Sequence, residues 1–312
     1  MKKAIIVAGP TASGKSALAL ALAPAVNGVV INADSMQVYA GLRVLTARPS
    51  PADEALAPHR LYGVLAPSDL CSVGRWRALA LAEMEAAWAA GRLPVVVGGT
   101  GLYLRALTQG LSPIPEIPET VRAETRALLE RLGNQAFHAR LAGRDPVMAA
   151  RLHPGNSQRL ARAWEVLEAT GRSLADWQDQ PAPDRLEAAT ATVLLAPPRE
   201  ALYQSCDRRF LAMLEQGALD EVAALMALRL DPALPVMKAL GVPELAAHLA
   251  GRLGLEQAMA QAQQATRHYA KRQSTWFRHQ LAADFVLNAQ YSERFFDGIF
   301  SNIRQSPLTP DT

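Results

Sequence analysis

Apolar and polar positions along this chain follow two patterns. Short, nearly unbroken apolar runs occur at Ala4 to Ala8, Gly28 to Ile31, Leu93 to Val97 and Thr190 to Ala196. Runs of this length, bounded by Gly, Pro or Asp, predict strands buried on both faces, as in parallel sheets. Elsewhere the apolar residues recur at helical spacing. Ala17 to Ala23 continues the first strand's turn as a helix, and Ser72 caps a predicted helix from Val73 to Ala90 that Gly91 stops. Its amphipathic face is expected to carry Ala78, Leu81, Met84 or Glu85, and Trp88 into the core. Residues 41–70, with Pro49, Pro51, Pro58 and Pro67, predict a loop. Strands alternating with helices give an α/β fold, a parallel sheet flanked by helices.

Ser112-Pro-Ile-Pro-Glu-Ile-Pro118 is a stiff linker and a plausible boundary. Beyond it the pattern is helical and strand-free to about residue 180. It comprises Val121 to Leu132, Pro146 to Leu152, and a helix from Gln158 to Thr170 capped by Asn156-Ser157 and stopped by Gly171. Asp179 to Pro183 marks a return. Residues 113–189 therefore form an all-helical insertion within a core made of 1–112 and 190–312. From residue 199 onward the chain is mostly helical.

Gly9-Pro-Thr-Ala-Ser-Gly-Lys-Ser16 fits G-x-x-x-x-G-K-[ST], the phosphate-binding P-loop, with the strand and helix flanks that the motif needs. Gly9 and Gly14 let the backbone approach phosphate oxygens with no Cβ in the way. Pro10, Thr11, Ala12 and Ser13 complete the loop, whose amides and helix dipole face the anion. Lys15 would place a point charge on the outer phosphate, and the Ser16 hydroxyl would ligate Mg²⁺. The second strand ends on Asp34. An acid there is often a turn or cap residue. In a parallel sheet, however, strand carboxyl ends form the ligand crevice, and with the P-loop on the neighbouring strand Asp34 is a candidate base or metal-shell residue. The strand at 93–97 runs into Gly98-Gly99-Thr100, where an ATPase or GTPase often carries an Asp for Mg²⁺, and no guanine-reading Asn-Lys-x-Asp occurs. Nucleotide hydrolysis is disfavoured; adenylate-type kinases remain as a rival.

With 312 residues, half of them hydrophobic and a fifth charged, the chain can bury a sizeable core. Cys71 and Cys206 lie in no metal-ligand spacing and suit a reducing compartment. No run approaches the ~18 apolar residues of a membrane span, and the apolar start is too short for a signal peptide; a cytoplasmic protein is expected. No apolar stripe argues for a dimer, so a monomer is expected. The net charge of +3 is mild, but it is unevenly placed. No Asp or Glu occurs between Glu256 and Asp284, and Arg267 to His279 interleaves basic residues with Trp276, Phe277 and His279. Lys271, Thr275 and Arg278 share one helical face. Such a face is either solvated surface or a nucleic-acid contact through phosphate neutralisation and stacking.

In combination these residues resemble the bacterial-type tRNA dimethylallyltransferases (tRNA isopentenyltransferases) over nearly the whole chain. The resemblance rests on Gly9 to Ser16, Ala33-Asp-Ser-Met-Gln-Val-Tyr39, Gly98-Gly-Thr-Gly-Leu-Tyr103, His153-Pro with Gln158-Arg159, and Lys271-Arg-Gln-x-Thr-Trp-x-Arg278. It implies a P-loop nucleotide-kinase-like core whose helical insertion contacts tRNA. A dimethylallyl group would pass from dimethylallyl diphosphate to N6 of the adenosine 3′ to the anticodon, with the P-loop holding the leaving diphosphate rather than ATP. Asp34 would accept the N6 proton and Thr100 would line the channel opposite. Ser35, Met36 and Gln37 would touch the extruded base and its neighbours. Arg122, Asn156, Ser157, Gln158, Arg159 and Leu160 would contact the anticodon stem-loop from the insertion, and Lys238, Lys271, Arg272, Gln273, Trp276 and Arg278 from the core. Arg208 and Arg209 lie in a helix that in the family faces the diphosphate, and one of them, assigned here as Arg208, would add a positive charge. The chain departs from the family pattern at Ala40, Arg43 to Arg48, Gly63, Ser205 and Val242-Pro243, none of them among the P-loop, Asp34 or Thr100. A small-molecule kinase would explain the P-loop but not the basic helix. An RNA-binding module without chemistry would explain the helix but not Asp34.

Overall fold

The apolar runs form strands β1 (Lys3–Ala8), β2 (Gly28–Asn32), β4 (Leu93–Gly98) and β5 (Ala189–Leu195), joined by two short edge strands, β3 (His59–Arg60) and β6 (Phe285–Leu287). The computed structural model describes residues 1–305. All six strands are parallel, in the order β3-β2-β4-β1-β5-β6. Alternate residues of each central strand feed separate cores. Ala4, Ile6, Ile31 and Val96 pack on one face with Trp76, Met84 and Tyr103. Ile5, Val7, Val30, Val95 and Val97 pack on the other with Leu18 and Leu22 of the helix Lys15–Ala25 and with Ile299 and Ile303. Burial on both faces explains the absence of polar alternation in these strands.

Two sequence expectations need correction. β2 is not the neighbour of β1: β4 lies between them, because sequence order does not dictate sheet order. Residues 41–70 are not all loop. Pro51 opens a helix, Pro51–Leu56, under a reciprocal Ser50–Asp53 capping box, so this proline starts an element instead of breaking one. The tail after residue 199 is mostly helical, as expected, and adds one short strand: β6 pairs with β5 through Val193↔Phe285, Leu194↔Val286 and Leu195↔Leu287. A three-residue strand leaves too little periodicity to see.

Chain contacts separate two units, Met1–Thr108 with the chain from Leu186 onward, and Gln109–Arg185. The second is all helical. Its core gathers Ile117, Phe137, Leu141, Leu160, Ala163, Trp164 and Val166. Its longest helical segment, Glu119–Ala142, is broken at Gly133, whose φ of 69° is open to glycine. The helix Ser157–Thr170 is capped by the Asn156 side chain on the Arg159 N–H and ends at left-handed Gly171.

Candidate active site

β1, β4 and β2 end level with one another: Ala8 pairs with Gly98, and Asn32 with Val97. The three turns that follow, Gly9–Gly14, Ala33–Gln37 and Gly99–Gly101, therefore share one edge of the sheet. The P-loop occupies the first. Gly14 sits at φ 91° before the helix Lys15–Ala25, and a Cβ there would lie 2.8 Å from that of Tyr291. No side chain caps this helix and no acid occupies its first turn, which leaves its positive end for an anion. Gln290 donates to the Ala12 carbonyl (2.6 Å), and the Tyr291 N–H donates to the Ser13 carbonyl (3.2 Å), buttressing the loop from behind. Lys15 Nζ donates to the Pro10 carbonyl at 3.3 Å. Burial pulls its pKa from 10.5 to about 8, against the opposing charge of Asp34. Ser16 is exposed at the helix start.

Asn32 sets Asp34. The buried Asn32 amide accepts from the Asp34 N–H (2.9 Å) and donates to the carbonyls of Asp34 (3.1 Å) and Leu61 (3.0 Å). One Asp34 carboxylate oxygen accepts the Met36 N–H at 2.9 Å. Thr100 Oγ1 accepts the Ser35 N–H at 3.0 Å, tying the second turn to the third. The charge on Asp34 is felt by Lys15, Arg209, Tyr62 and Tyr269. Both tyrosine hydroxyls are pushed up, mainly by burial and then by Asp34. The nearby Thr100 and Gln273 oppose this rise at Tyr269. The edge thus brings together an anion cradle, a lysine, an arginine and a carboxylate.

Several predicted residues lie elsewhere than expected. Arg208 is exposed and, among the described residues, bonds Ser205 alone, whereas Arg209 donates to Thr11 Oγ1 in the P-loop. The correction follows from helix phase. The helix Arg199–Glu215 buries Leu202, Cys206, Phe210 and Met213, and residue 209 lies two turns from Leu202 on that side. Gln273, expected on the RNA-facing surface, is buried and bonds Thr11 and Gly99. Trp276 is half-buried against Gly101, where a Cβ would lie 2.2 Å from the indole. Gln37 spends its NH₂ on the carbonyls of Thr46 and Ala47 (2.8 and 2.9 Å), and Met36 is half-buried against the core. Lys271, Arg272, Arg278 and Lys238 are exposed, as a nucleic-acid surface requires. Arg267 is diverted into an ion pair with Asp207 at 2.6 Å. In the insertion Ser157, Gln158 and Arg159 are exposed, Arg122 and Asn156 are half-buried, and Leu160 is fully buried in the core, so its side chain is not on the surface expected for it. Asn32, Tyr62 and Tyr269 carry no motif in the sequence, and Arg209 stands there only as one of a pair. Only Arg209, and Tyr269 on the inner face of its helix, left a periodic signal.

Comparison with known proteins adds a second line of evidence. The family described as IPP transferase matches residues 37–280, and that described as isopentenyl transferase matches residues 2–64. A tRNA dimethylallyltransferase of Paramagnetospirillum magneticum is 61% identical over 306 residues, 98% of this chain and 97% of that one. The structure is similar to the tRNA isopentenylpyrophosphate transferase of Bacillus halodurans, with TM-score 0.69, 32% identity and 97% of both chains covered. It is also similar to a eukaryotic dimethylallyltransferase acting on tRNA, with TM-score 0.83 and 27% identity, covering all of this chain and 82% of that one.

Proposed function

Because this chain belongs to the IPP transferase family, we propose that its sheet-edge site moves a dimethylallyl group from dimethylallyl diphosphate to N6 of the adenosine 3′ to the anticodon of tRNA. It is a prenyltransferase of tRNA modification, and diphosphate is the leaving group. The observation that carries the assignment is the joining of a P-loop to a strand-end carboxylate within one site. The P-loop amides, Lys15 and Arg209 stabilise charge developing on the departing diphosphate. The allylic carbon gains positive character and is attacked by N6. An exocyclic amine is a poor nucleophile, so a base gains importance, and Asp34 takes the N6 proton through the carboxylate oxygen that the Met36 N–H leaves available. Thr100, bonded to Ser35, lines the side where the base enters.

The adenosine must leave its stack to reach this edge, which costs least in a loop. The exposed Lys271, Arg272, Arg278 and Lys238, with Trp276 beside them, contact tRNA from the core unit. Gln158 and Arg159 do so from the insertion, whose role is to hold the anticodon stem-loop. Mg²⁺ is the metal this site would take. Among the described residues no group of three or more His, Cys, Asp or Glu could hold an ion. The exposed Ser16 hydroxyl suits an ion that keeps waters and takes its other ligands from phosphate. Bound there, Mg²⁺ would neutralise charge on the diphosphate. We propose that the enzyme acts as a monomer, with the groups named here all carried by one chain. Among the described residues no helix is long and apolar enough to cross a membrane.

The test is mass spectrometry of nucleosides from unmodified tRNA incubated with protein, Mg²⁺ and dimethylallyl diphosphate, without ATP. One dimethylallyl group gained on the adenosine next to the anticodon is expected. Absence of any modified adenosine across a total tRNA pool would refute the assignment and return attention to ATP and a kinase.

A further inference from the structure

The helix Leu255–Gln280 has two faces with different surroundings. Lys271, Thr275 and Arg278 are exposed on one. On the other, Tyr269, Gln273 and Trp276 meet the turns of the active site. Gln273 is only 6% exposed. Its Oε1 accepts the Thr11 N–H at 2.7 Å, and its Nε2 donates to the Gly99 carbonyl at 2.8 Å. The turn after β4 is pressed onto this amide: a Cβ at Gly99 would lie 2.4 Å from Nε2. Thr11 is also the residue whose hydroxyl Arg209 engages.

We propose that Gln273 is a positioning residue for the diphosphate cradle and not an RNA contact, an inference that rests on the prenyl-transfer assignment. Its single planar amide takes the Thr11 N–H away from the anion, so the loop's remaining amides define the cradle. The same amide fixes the spacing between the P-loop and the Gly99–Thr100 turn where the acceptor adenosine would sit. Among uncharged side chains, a primary amide can accept from one backbone group while donating to another at opposite ends of a rigid plane. Met matches its length but does neither well, and Glu only accepts. With Met, the Thr11 N–H is left to find another partner, since buried amides do not stay unpaired. The loop then changes shape at the residue that Arg209 grips.

The experiment compares wild type with Q273M and Q273E, each first checked by thermal melting. Inorganic diphosphate is titrated calorimetrically without RNA, unmodified tRNA binding is measured separately, and steady-state kinetics vary donor and tRNA in turn. Q273M is expected to weaken diphosphate binding about tenfold, equivalent to about 1.4 kcal/mol, and to raise the donor KM while tRNA affinity stays within about twofold. Q273E keeps the acceptor for Thr11 and serves if Q273M does not fold. Ionised, its carboxylate opposes the Gly99 carbonyl and adds negative charge beside the P-loop, so the same donor-side loss is expected. Three results would overturn the proposal: unchanged diphosphate binding, a fall in kcat with both KM values intact, or weakened tRNA binding alone. The diphosphate titration needs neither RNA nor turnover, so it decides the role of Gln273 separately from the nucleoside assay that decides the reaction.

Discussion

Replacing Arg209 with Ala removes the guanidinium that reaches the P-loop through Thr11 Oγ1 and lies within the electrostatic reach of Asp34. Burial already lowers the pKa of this group below its ordinary value. Its charge is therefore held in a poorly solvated place where a developing negative charge interacts strongly with it. Two unit charges about 4 Å apart interact by about 4 kcal/mol at the effective dielectric near a protein surface. Removing one donor from a preorganised anion site costs about 2.7–4 kcal/mol in the transition state. R209A is therefore expected to lower kcat/KM for dimethylallyl transfer by about 10²- to 10³-fold. R209K keeps the charge but loses the planar fork and should fall in between. R208A is the internal control, because Arg208 is exposed and, among the described residues, bonds Ser205 alone; it should stay within about twofold. The assay follows diphosphate release from dimethylallyl diphosphate with saturating unmodified tRNA. Activity of R209A within threefold of wild type, or equal damage from R208A, would refute the assignment of the diphosphate arginine.

Lys15 predicts a pH dependence. Its lowered pKa means that the ammonium is lost as pH rises through about 8, so calorimetric binding of inorganic diphosphate should weaken above that pH by up to about tenfold per unit, relative to a Lys15→Arg variant that stays charged. Asp34→Asn should bind tRNA normally and lose about 10²- to 10⁴-fold in transfer rate; single-turnover rates near wild type would remove Asp34 from the chemistry. Combining Lys271→Ala with Arg278→Ala should weaken tRNA binding and reduce the slope of log K against log salt by about 1.4–1.8, whereas an unchanged slope would take this helix off the RNA. Leu160→Ala, at a fully buried position in the insertion core, should cost about 2–5 kcal/mol in denaturant unfolding, while exposed Gln158→Ala should change stability by no more than about 0.5 kcal/mol.

Much of the architecture was legible because its signals are local. The runs at Ala4–Ala8, Gly28–Ile31 and Leu93–Val97 lack polar alternation, and a strand buried on both faces has no reason to alternate. Ser72 and Asn156 cap the helices they announce because a cap is made within four residues. Pro51 misled because its ring both ends and begins helices, and only the Ser50–Asp53 pair shows which.

The parallel α/β class, the P-loop, the candidate base Asp34 and the acid-free helix are readable from the chain alone, since each depends on neighbours along it. Tertiary structure alone decided that β4 separates β1 from β2, that Arg209 and not Arg208 meets the P-loop, and that Gln273 turns inward while Lys271 and Arg278 face outward. Those outcomes depend on which elements pack together. Arg208 and Arg209 are chemically alike, and burial of Leu202, Cys206 and Phe210 against other helices fixes which of them points at the loop. A glutamine reads as a polar surface residue until Thr11 and Gly99, more than 170 residues away in the chain, are brought against it.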